Sequence, residues 1–209
     1  MFKNKIRSNL IYLILSFVFL LVVGVMYRSS VFRISQNFAV VEDQKLYRSA
    51  QLTDDELKQV IEKYHIKTVI SLRGSPAASK WYSREEDFLK KQNVQFEPIN
   101  LSDDYYPDQE QIRMILNVFK TRSFPMLVHC RVGADRTGMV SALYQRFFMN
   151  ESLEKSLEQL SFRYWHVRFL HPAMTAFVEK AKSINWLLTD YNVCSSDFAD
   201  YRKADYVCH

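Results

Sequence analysis

The sequence predicts an α/β fold, a central and mostly parallel sheet flanked by helices, with a transmembrane helix at the N-terminus. Short apolar runs typical of buried strands alternate with segments of helical spacing, and this alternation predicts a sheet with helices on its faces. The run at 126–129 leads directly into a loop with Cys130 and Arg136, and such folds bind ligands at the carboxyl ends of strands. Residues 9–27 carry no charged side chain, which is close to the ~20 apolar residues that span a bilayer.

The first elements of the sheet domain are marked by turn and capping signals. Residues 38–41 and 45–47 are expected to form short strands on either side of a tight connection. Thr53 and Glu56 have the spacing of a capping box, which predicts that a helix begins there and continues through 57–65.

The later elements follow the same alternation. Residues 67–72 form an apolar strand, and Ser83 with Glu86 is expected to cap a helix that ends at Gln92. The remaining elements are a strand at 94–99, a helix at 108–121 with Asp108 at its N-cap, a strand at 126–129, and helices at 136–149, 152–162 and 172–188.

The stretch from His129 to Gly138 carries the chemistry of a phosphate-binding nucleophile. A loop that closes on a helix N-terminus directs several backbone N–H groups at one point, and the helix dipole adds positive charge there. The same field favours the thiolate of Cys130, the form that attacks phosphorus. Arg136, six residues later, is expected to hold two phosphate oxygens in a bidentate fork. The catalytic residues predicted in the loop are therefore Cys130 and Arg136.

The other loop residues have supporting roles. Thr137 can donate its hydroxyl to the Cys130 sulfur, Gly133 lets the backbone turn without a side chain that obstructs the anion, and Gly138 permits close packing of the first helical turn. The residues predicted to contact the phosphate are Arg131, Val132, Gly133, Ala134, Asp135 and Arg136.

These residues resemble the signature of the cysteine-dependent protein tyrosine phosphatase superfamily, His-Cys-x5-Arg-Ser/Thr-Gly, and match every fixed position. The form with Gly, then Asp directly before Arg, is similar to the compact bacterial and dual-specificity-type branch, some of whose members act on phosphoinositides. Segments at 46–52, 68–74 and 81–86 extend the resemblance over about residues 38–180. It implies a tyrosine/dual-specificity phosphatase-like fold and a phosphocysteine intermediate, with no cofactor and no metal.

Two carboxylates compete for the role of general acid. In relatives the acid lies on a mobile loop before the cysteine, and Asp103, followed by Asp104, occupies that place here. Some phosphoinositide-directed relatives instead carry an Asp immediately before the loop arginine, which is Asp135 in this sequence. The helix N-terminus favours the ionised form of Asp135, and an ionised carboxylate is a poor proton donor. Asp103 is therefore the first candidate and Asp135 the second.

Charge separates the N-terminal segment from the rest of the chain. Residues 1–34 hold five of the 28 basic residues and none of the 23 acidic ones, so the remaining residues carry equal numbers of both. This balance argues against nucleic acid as a partner. The basic flanks of the apolar segment predict a cytoplasmic N-terminus and a catalytic domain across the membrane, which is periplasmic in a Gram-negative bacterium. A cleaved signal peptide is the alternative to an uncleaved anchor.

The predicted domains are a membrane anchor with its flanks at 1–34, a phosphatase domain at 35–190 and a tail at 191–209. In the tail, Cys194 and Cys208 either form a disulfide in an oxidising compartment or remain two thiols. Arg48 and Arg73 either extend the positive field of the site or pair with surface carboxylates. The histidines at 166 and 171 are interpreted as core or surface residues, because they lack metal-ligand spacing.

The function that follows is a membrane-anchored phosphatase of the tyrosine/dual-specificity type. Its expected partners are the membrane and either a phosphorylated protein or a phospholipid or inositol phosphate substrate. A phosphoinositide or lipid-phosphate phosphatase is the first alternative. A non-catalytic module that binds phosphate is the second, although such a module has no need of a thiolate.

Overall fold

A computed structural model describes residues 12–26, 36–74 and 79–208, and these residues contain one five-stranded sheet. The strands are Ala39–Glu42 (β1), Leu46–Ser49 (β2), Thr68–Ser71 (β3), Gln95–Pro98 (β4) and Met126–His129 (β5). Their order across the sheet is β1-β2-β5-β3-β4; β1 is antiparallel to β2, and the other neighbouring pairs are parallel. The predicted central, mostly parallel sheet is present.

The position of β5 in the middle of this sheet places the cysteine loop. His129, the last residue of β5, lies opposite Ser49 of β2 and Ser71 of β3. Because all three strands run in the same direction, the segments that follow them meet at one edge. Cys130 therefore leaves the sheet at the centre of that edge.

Helices cover both faces of the sheet. The helices of the unit that contains the sheet are Asp54–Tyr64 (α2), Lys80–Lys91 (α3), Gln109–Thr121 (α4), Asp135–Phe148 (α5), Leu153–Leu157 (α6), Pro172–Lys180 (α7) and Ile184–Thr189 (α8). A further helix, α1, covers residues 12–26 and does not belong to that unit. Met126 and Val128 pack into the core with α4, α5 and α7, whereas Leu127 faces the opposite core with α2 and α3. This alternation is the two-residue period of a strand buried on both sides.

Local capping signals account for several helix starts. The capping boxes at Thr53 and Asp108 form at the starts of α2 and α4. The cap of α3 is Ser79 rather than Ser83, so that this helix begins one turn earlier than expected. The predicted helix at 172–188 is two helices, since Ala181 is extended and Ser183 caps α8 by accepting the N–H of Trp186. The predicted helix at 152–162 ends at Leu157 and continues as 3₁₀ turns.

The prediction of a transmembrane helix was wrong. In the parts of the chain that the structure describes, no helix has both the length and the apolar character needed to cross a bilayer. The described part of α1 covers residues 12–26, about 22 Å at 1.5 Å per residue, against the ~30 Å of a hydrocarbon core. The predicted single-pass topology and extracytoplasmic catalytic domain depended on that span and are withdrawn with it. The basic flanks and the boundary predicted at 34–35 lie outside the described residues.

The chain divides into two units. The first, Met1–Gln36, contains α1, and the second, Asn37–His209, contains the sheet and the other helices. Within the second unit the C-terminal tail packs on the core, where Phe198 is buried, and a disulfide joins Cys194 to Cys208.

Candidate active site

Cys130 is a buried free cysteine at the start of the loop between β5 and α5. The backbone N–H of Gly133 donates a hydrogen bond to its Sγ at 3.2 Å. At the N-cap of α5, Ala134 provides no side-chain hydrogen bond to the first helical turn. The N–H groups of an uncapped first turn are available to a ligand. The loop thus combines a sulfur atom with backbone donors at one point.

Two side chains hold this loop from behind. The fully buried Arg48 donates from Nη2 to the carbonyl of Gly133 at 2.6 Å, and from Nη1 to the backbone and side-chain oxygens of Gln159. Asn37 donates to the same Gly133 carbonyl at 2.8 Å and to that of Val132 at 3.1 Å. Because the N–H and C=O of a planar peptide point in opposite directions, fixing these carbonyls turns the neighbouring N–H groups the other way.

Arg48 is a buried cation, and its surroundings explain how it is tolerated. Burial lowers the pKa of Arg48 to about 10, and the charge of Tyr164 and of Cys130 opposes that change. Its guanidinium carbon also lies 3.7 Å from the centre of the Tyr164 ring, a cation–π contact. Arg48 thus supports the backbone of the loop from behind. Neither of the two sequence interpretations, an extension of the positive field or a pair with a surface carboxylate, included this role.

The two glycines of the motif are required by backbone contacts. Gly133 has a φ of +73°, and a Cβ there would lie 2.6 Å from the backbone of Ser49 and Ala50. The crowding therefore comes from the last residue of β2 and the residue after it rather than from the anion side. A Cβ on Gly138 would lie 2.6 Å from the carbonyl oxygen of Gln159, which is the close packing of the first helical turn that the sequence predicts.

Arg136 lies across the loop, between the segments that follow β3 and β4. Its Nη1 donates to the carbonyls of Leu72 at 3.4 Å and Leu101 at 3.3 Å, and its Nη2 lies 3.7 Å from Oδ2 of Asp103. Its Nε has no hydrogen-bond partner in the described part of the chain. The buried Thr137 hydroxyl likewise has no hydrogen-bond partner among the described residues, so the structure does not contain the bond to the Cys130 sulfur that the sequence predicts.

The carboxylates of the two candidate acids lie close together. One carboxylate oxygen of Asp103, one of Asp135 and one ring nitrogen of His171 all lie within 4.8 Å of one another. The side chain of Asp103 is 37% exposed, whereas that of Asp135 is 13% exposed. Asp135 Oδ1 lies 2.8 Å from Nδ1 of His166, so that the second candidate is the more buried of the two and is held by a buried partner.

The same three residues are the group that could hold a metal ion among the residues the structure describes. Carboxylate oxygens and an imidazole nitrogen are ligands of divalent transition metals. Sequence spacing does not reveal this group, because its members come from three separate segments. All three also have protein partners, since Asp103 is paired with Arg136, Asp135 is bonded to His166, and His171 Nδ1 lies 3.1 Å from Oδ1 of Asp104.

A buried polar network behind β5 was missed by sequence reasoning. Glu85 lies 3.2 Å from Nε2 of His129 and accepts a 2.6 Å hydrogen bond from Gln51. Burial alone would raise the pKa of Glu85, but the charge and hydrogen bond of His129, the hydrogen bond of Gln51 and the charge of Arg73 bring it below its usual value. A signal did exist, since Glu85 lies four residues before the buried Leu89 on the inner face of α3.

Several solved structures have a fold similar to that of this chain. TpbA of P. aeruginosa is 21% identical over 74% of this chain and 89% of its own, with a TM-score of 0.56. The catalytic domain of the PP-IP phosphatase SIW14 of S. cerevisiae is 20% identical over 70% and 85%, with a TM-score of 0.58. A putative phosphatase of Neisseria meningitidis is 15% identical over 66% and 96%, with a TM-score of 0.51. At these identities the likeness establishes the fold. No curated protein sequence gives a significant match.

The sequence itself establishes the family. Residues 29–171, about two thirds of the chain, match the sequence model of the family described as "DSP-PTPase phosphatase fused to NAD+ Kinase". The superfamily resemblance carried by the loop from His129 to Gly138 is thereby confirmed. The chain belongs to this family and is a cysteine-dependent phosphoric monoester hydrolase of the protein-tyrosine-phosphatase type.

Proposed function

We propose that this phosphatase hydrolyses phosphate monoesters of the tyrosine/dual-specificity class through a phosphocysteine intermediate on Cys130. The observation that carries the proposal is the N–H of Gly133 pointing at Cys130 Sγ beside the uncapped start of α5. Backbone donors in this arrangement stabilise a thiolate and bind the oxygens of a phosphate.

In the first step the thiolate of Cys130 attacks phosphorus, and the bond from phosphorus to the leaving oxygen breaks. The protonated carboxyl group of Asp103 gives its proton to that oxygen, which leaves as an alcohol or phenol. Arg136 holds two equatorial oxygens while negative charge spreads over them. The products of this step are the free alcohol and a phosphocysteine.

In the second step a water molecule attacks the same phosphorus atom. The bond from phosphorus to sulfur breaks, the thiolate of Cys130 leaves, and the carboxylate of Asp103 takes the proton of the water. Inorganic phosphate is released, and the enzyme returns to its starting state. We favour Asp103 as the acid because its side chain is the more exposed of the two, 37% against 13%, whereas Asp135 is held by the buried His166.

The substrate proposed first is a phosphorylated protein side chain. A variant of TpbA is described in complex with pTyr, at 20% identity to this chain. SIW14 is described as a PP-IP phosphatase, which makes a phosphorylated inositol the second candidate. The observation that favours a phosphorylated inositol is that Arg73 lies next to the cysteine loop, joined to it through Gln51.

The test is hydrolysis of p-nitrophenyl phosphate by the full chain and its variants. Cys130→Ser is expected to abolish turnover, since serine is a far weaker nucleophile at neutral pH. Arg136→Lys is expected to lower kcat/KM by about a thousandfold, because lysine lacks the bidentate fork. The matched control is Arg84→Lys, an exposed arginine of α3 that should keep normal activity. Full activity of Cys130→Ser would refute the mechanism, and phosphate binding without any turnover by the native chain would favour a non-catalytic module.

A further inference from the structure

Arg73 lies beside the cysteine loop and is joined to it through Gln51. The backbone N–H of Gln51 donates to the carbonyl of Arg131, the second residue of the loop, at 3.4 Å. The side-chain oxygen of Gln51 accepts a 2.9 Å hydrogen bond from Nη1 of Arg73. On the other side, Nη1 of Arg136 contacts the carbonyl of Leu72, the residue before Arg73. Gln51 and the carbonyl of Leu72 therefore link Arg73 to the backbone of Arg131 and to the side chain of Arg136.

The positive charges around Arg73 affect one another. Burial lowers the pKa of Arg73, and the charges of Arg136 and Arg131 lower it further. In the described part of the chain neither Arg73 nor Arg131 forms a salt bridge, and Glu85, whose charge opposes the lowering of the pKa of Arg73, is also engaged by His129 and Gln51. Clusters of like charge that fold stability does not explain mark sites for a ligand of opposite charge.

The Arg73 side chain is fixed in place before any ligand arrives. Its guanidinium carbon lies 3.5 Å from the centre of the Trp81 ring, and Gln51 takes one of its donors. A guanidinium has five N–H donors in a rigid plane, so stacking on an indole leaves the edges of that plane for hydrogen bonding. A fixed arginine with free edge donors suits a phosphate group, since little side-chain entropy is lost when it binds.

We propose that Arg73 and Arg131 form a second anion subsite, which binds a phosphate group of the substrate other than the one that is hydrolysed. The substrate is then a molecule with at least two phosphate groups close together. This inference rests on the proposed function, because the scissile phosphate has to occupy the loop at 130–136. A polyphosphorylated inositol and a doubly phosphorylated peptide share this chemistry.

The kinetic test uses the full chain and compares substrates with one and with several phosphate groups. Inositol 1,4,5-trisphosphate is set against p-nitrophenyl phosphate, and a peptide with phosphothreonine two residues from phosphotyrosine is set against the same peptide with phosphotyrosine alone. In the native chain kcat/KM is expected to be at least tenfold higher for the preferred multiply phosphorylated substrate than for its partner. The pair with the larger ratio identifies the source of the second phosphate.

Variants then assign the preference to the subsite. Arg73→Gln and Arg131→Gln are each expected to lower the substrate ratio about tenfold, mainly through KM, since a charge-assisted hydrogen bond is lost in the ground state and the transition state alike. Arg84→Gln removes the same charge from an exposed position of α3 and should leave the ratio within twofold. A native chain with no preference in either pair, or a ratio that Arg73→Gln and Arg131→Gln leave unchanged, would overturn the inference.

A binding measurement keeps this inference separate from the mechanism. Inositol hexakisphosphate is titrated into the full chain carrying Cys130→Ser, followed by the same chain with Arg73→Gln added, in a calorimeter at fixed salt. The inference predicts an approximately tenfold weaker Kd for the second protein. Equal affinities would overturn it even if the native chain is an active phosphatase. Absence of turnover combined with the expected affinity difference would instead refute only the proposed hydrolysis.

Discussion

The imidazole of His166 lies 2.8 Å from Oδ1 of Asp135, the first residue of α5. Its other nitrogen lies 2.8 Å from the hydroxyl of Thr175 in α7, and its side chain is fully buried. Both nitrogens of the ring are therefore occupied, which fixes its orientation and that of the Asp135 carboxylate. His166, 31 residues away in sequence, thus positions the carboxylate of Asp135 at the end of the cysteine loop.

We expect His166→Ala to lower kcat about tenfold with KM unchanged within twofold, because the loss of one positioning hydrogen bond costs about 1.4 kcal/mol in the transition state. His166→Asn should restore most of the activity, since its amide can occupy the place of Nδ1. The readouts are kcat, KM and the pH–rate profile, with His65→Asn at the exposed end of α2 as the control. Equal losses for alanine and asparagine would show that His166 acts through packing alone.

Arg48 is expected to determine both the stability and the activity of the loop. Arg48→Ala removes the buried hydrogen bonds of Arg48 to the Gly133 carbonyl and to both oxygens of Gln159, which should lower the free energy of unfolding by about 3 kcal/mol. The distorted loop should also lose kcat/KM by tenfold or more. Urea denaturation and p-nitrophenyl phosphate kinetics measure the two effects. The control is Arg122→Ala, whose exposed pair with Glu97 is worth no more than about 1 kcal/mol.

The disulfide between Cys194 and Cys208 is expected to support the segment that carries Asp103. The closed tail contains Tyr201, whose carbonyl accepts the N–H of Tyr106 at 2.9 Å, and Asp200, which lies 3.1 Å from the Tyr106 hydroxyl. Tyr106 follows Asp103 by three residues. We expect Cys194→Ser with Cys208→Ser to lower the free energy of unfolding by about 3 kcal/mol, since the bridge closes a short loop.

The same double variant should lower kcat more than it raises KM, because the tail contacts Tyr106 in the segment that carries the proposed acid Asp103. Tyr106→Phe is the matched control, since it removes the contact with Asp200 and keeps the backbone bond to Tyr201. Unchanged stability in the double variant would show that the tail holds its place without the bridge.

The buried Glu85 predicts how stability depends on pH. Its pKa in the folded chain lies below the ordinary value of 4.5, because His129, Gln51 and Arg73 outweigh the effect of burial. The ionised carboxylate therefore contributes stability that is present above about pH 4.5 and is lost as the pH falls through the folded-state pKa.

We expect the difference in unfolding free energy between the native chain and Glu85→Gln to shrink as the pH is lowered from about 7 to about 3. Urea titrations across that range measure it, and Glu86→Gln, at the exposed neighbouring position, is the control. A difference that stays constant over the range would contradict the lowered pKa of Glu85.

The cysteine loop could be predicted from the sequence because its chemistry is local. Cys130 and Arg136 lie within one connection, and a strand followed by a glycine-containing turn and a helix determines where backbone donors point. The capping boxes at Thr53 and Asp108 are local in the same way, since each is completed three residues later. Signals within one or two turns of chain are therefore enough for these features.

Apolar composition alone was a poor guide in the N-terminal segment, where a run without charges predicted a span that the described helix is too short to make. The break after Lys180 was missed for a related reason. The helical spacing of apolar residues continues through 181–183, but the extended backbone of Ala181 and the cap at Ser183 interrupt the hydrogen bonding.

The sequence by itself determined the family motif from His129 to Gly138 and the α/β alternation, because each is encoded by residues close together in the chain. Only the tertiary structure decided which groups support that loop. Arg48 reaches Gly133 across 85 residues, and Asn37 reaches it across 96. Such contacts form only after the sheet has brought the carboxyl ends of β2, β3 and β5 to one edge, so no local pattern in the sequence specifies them.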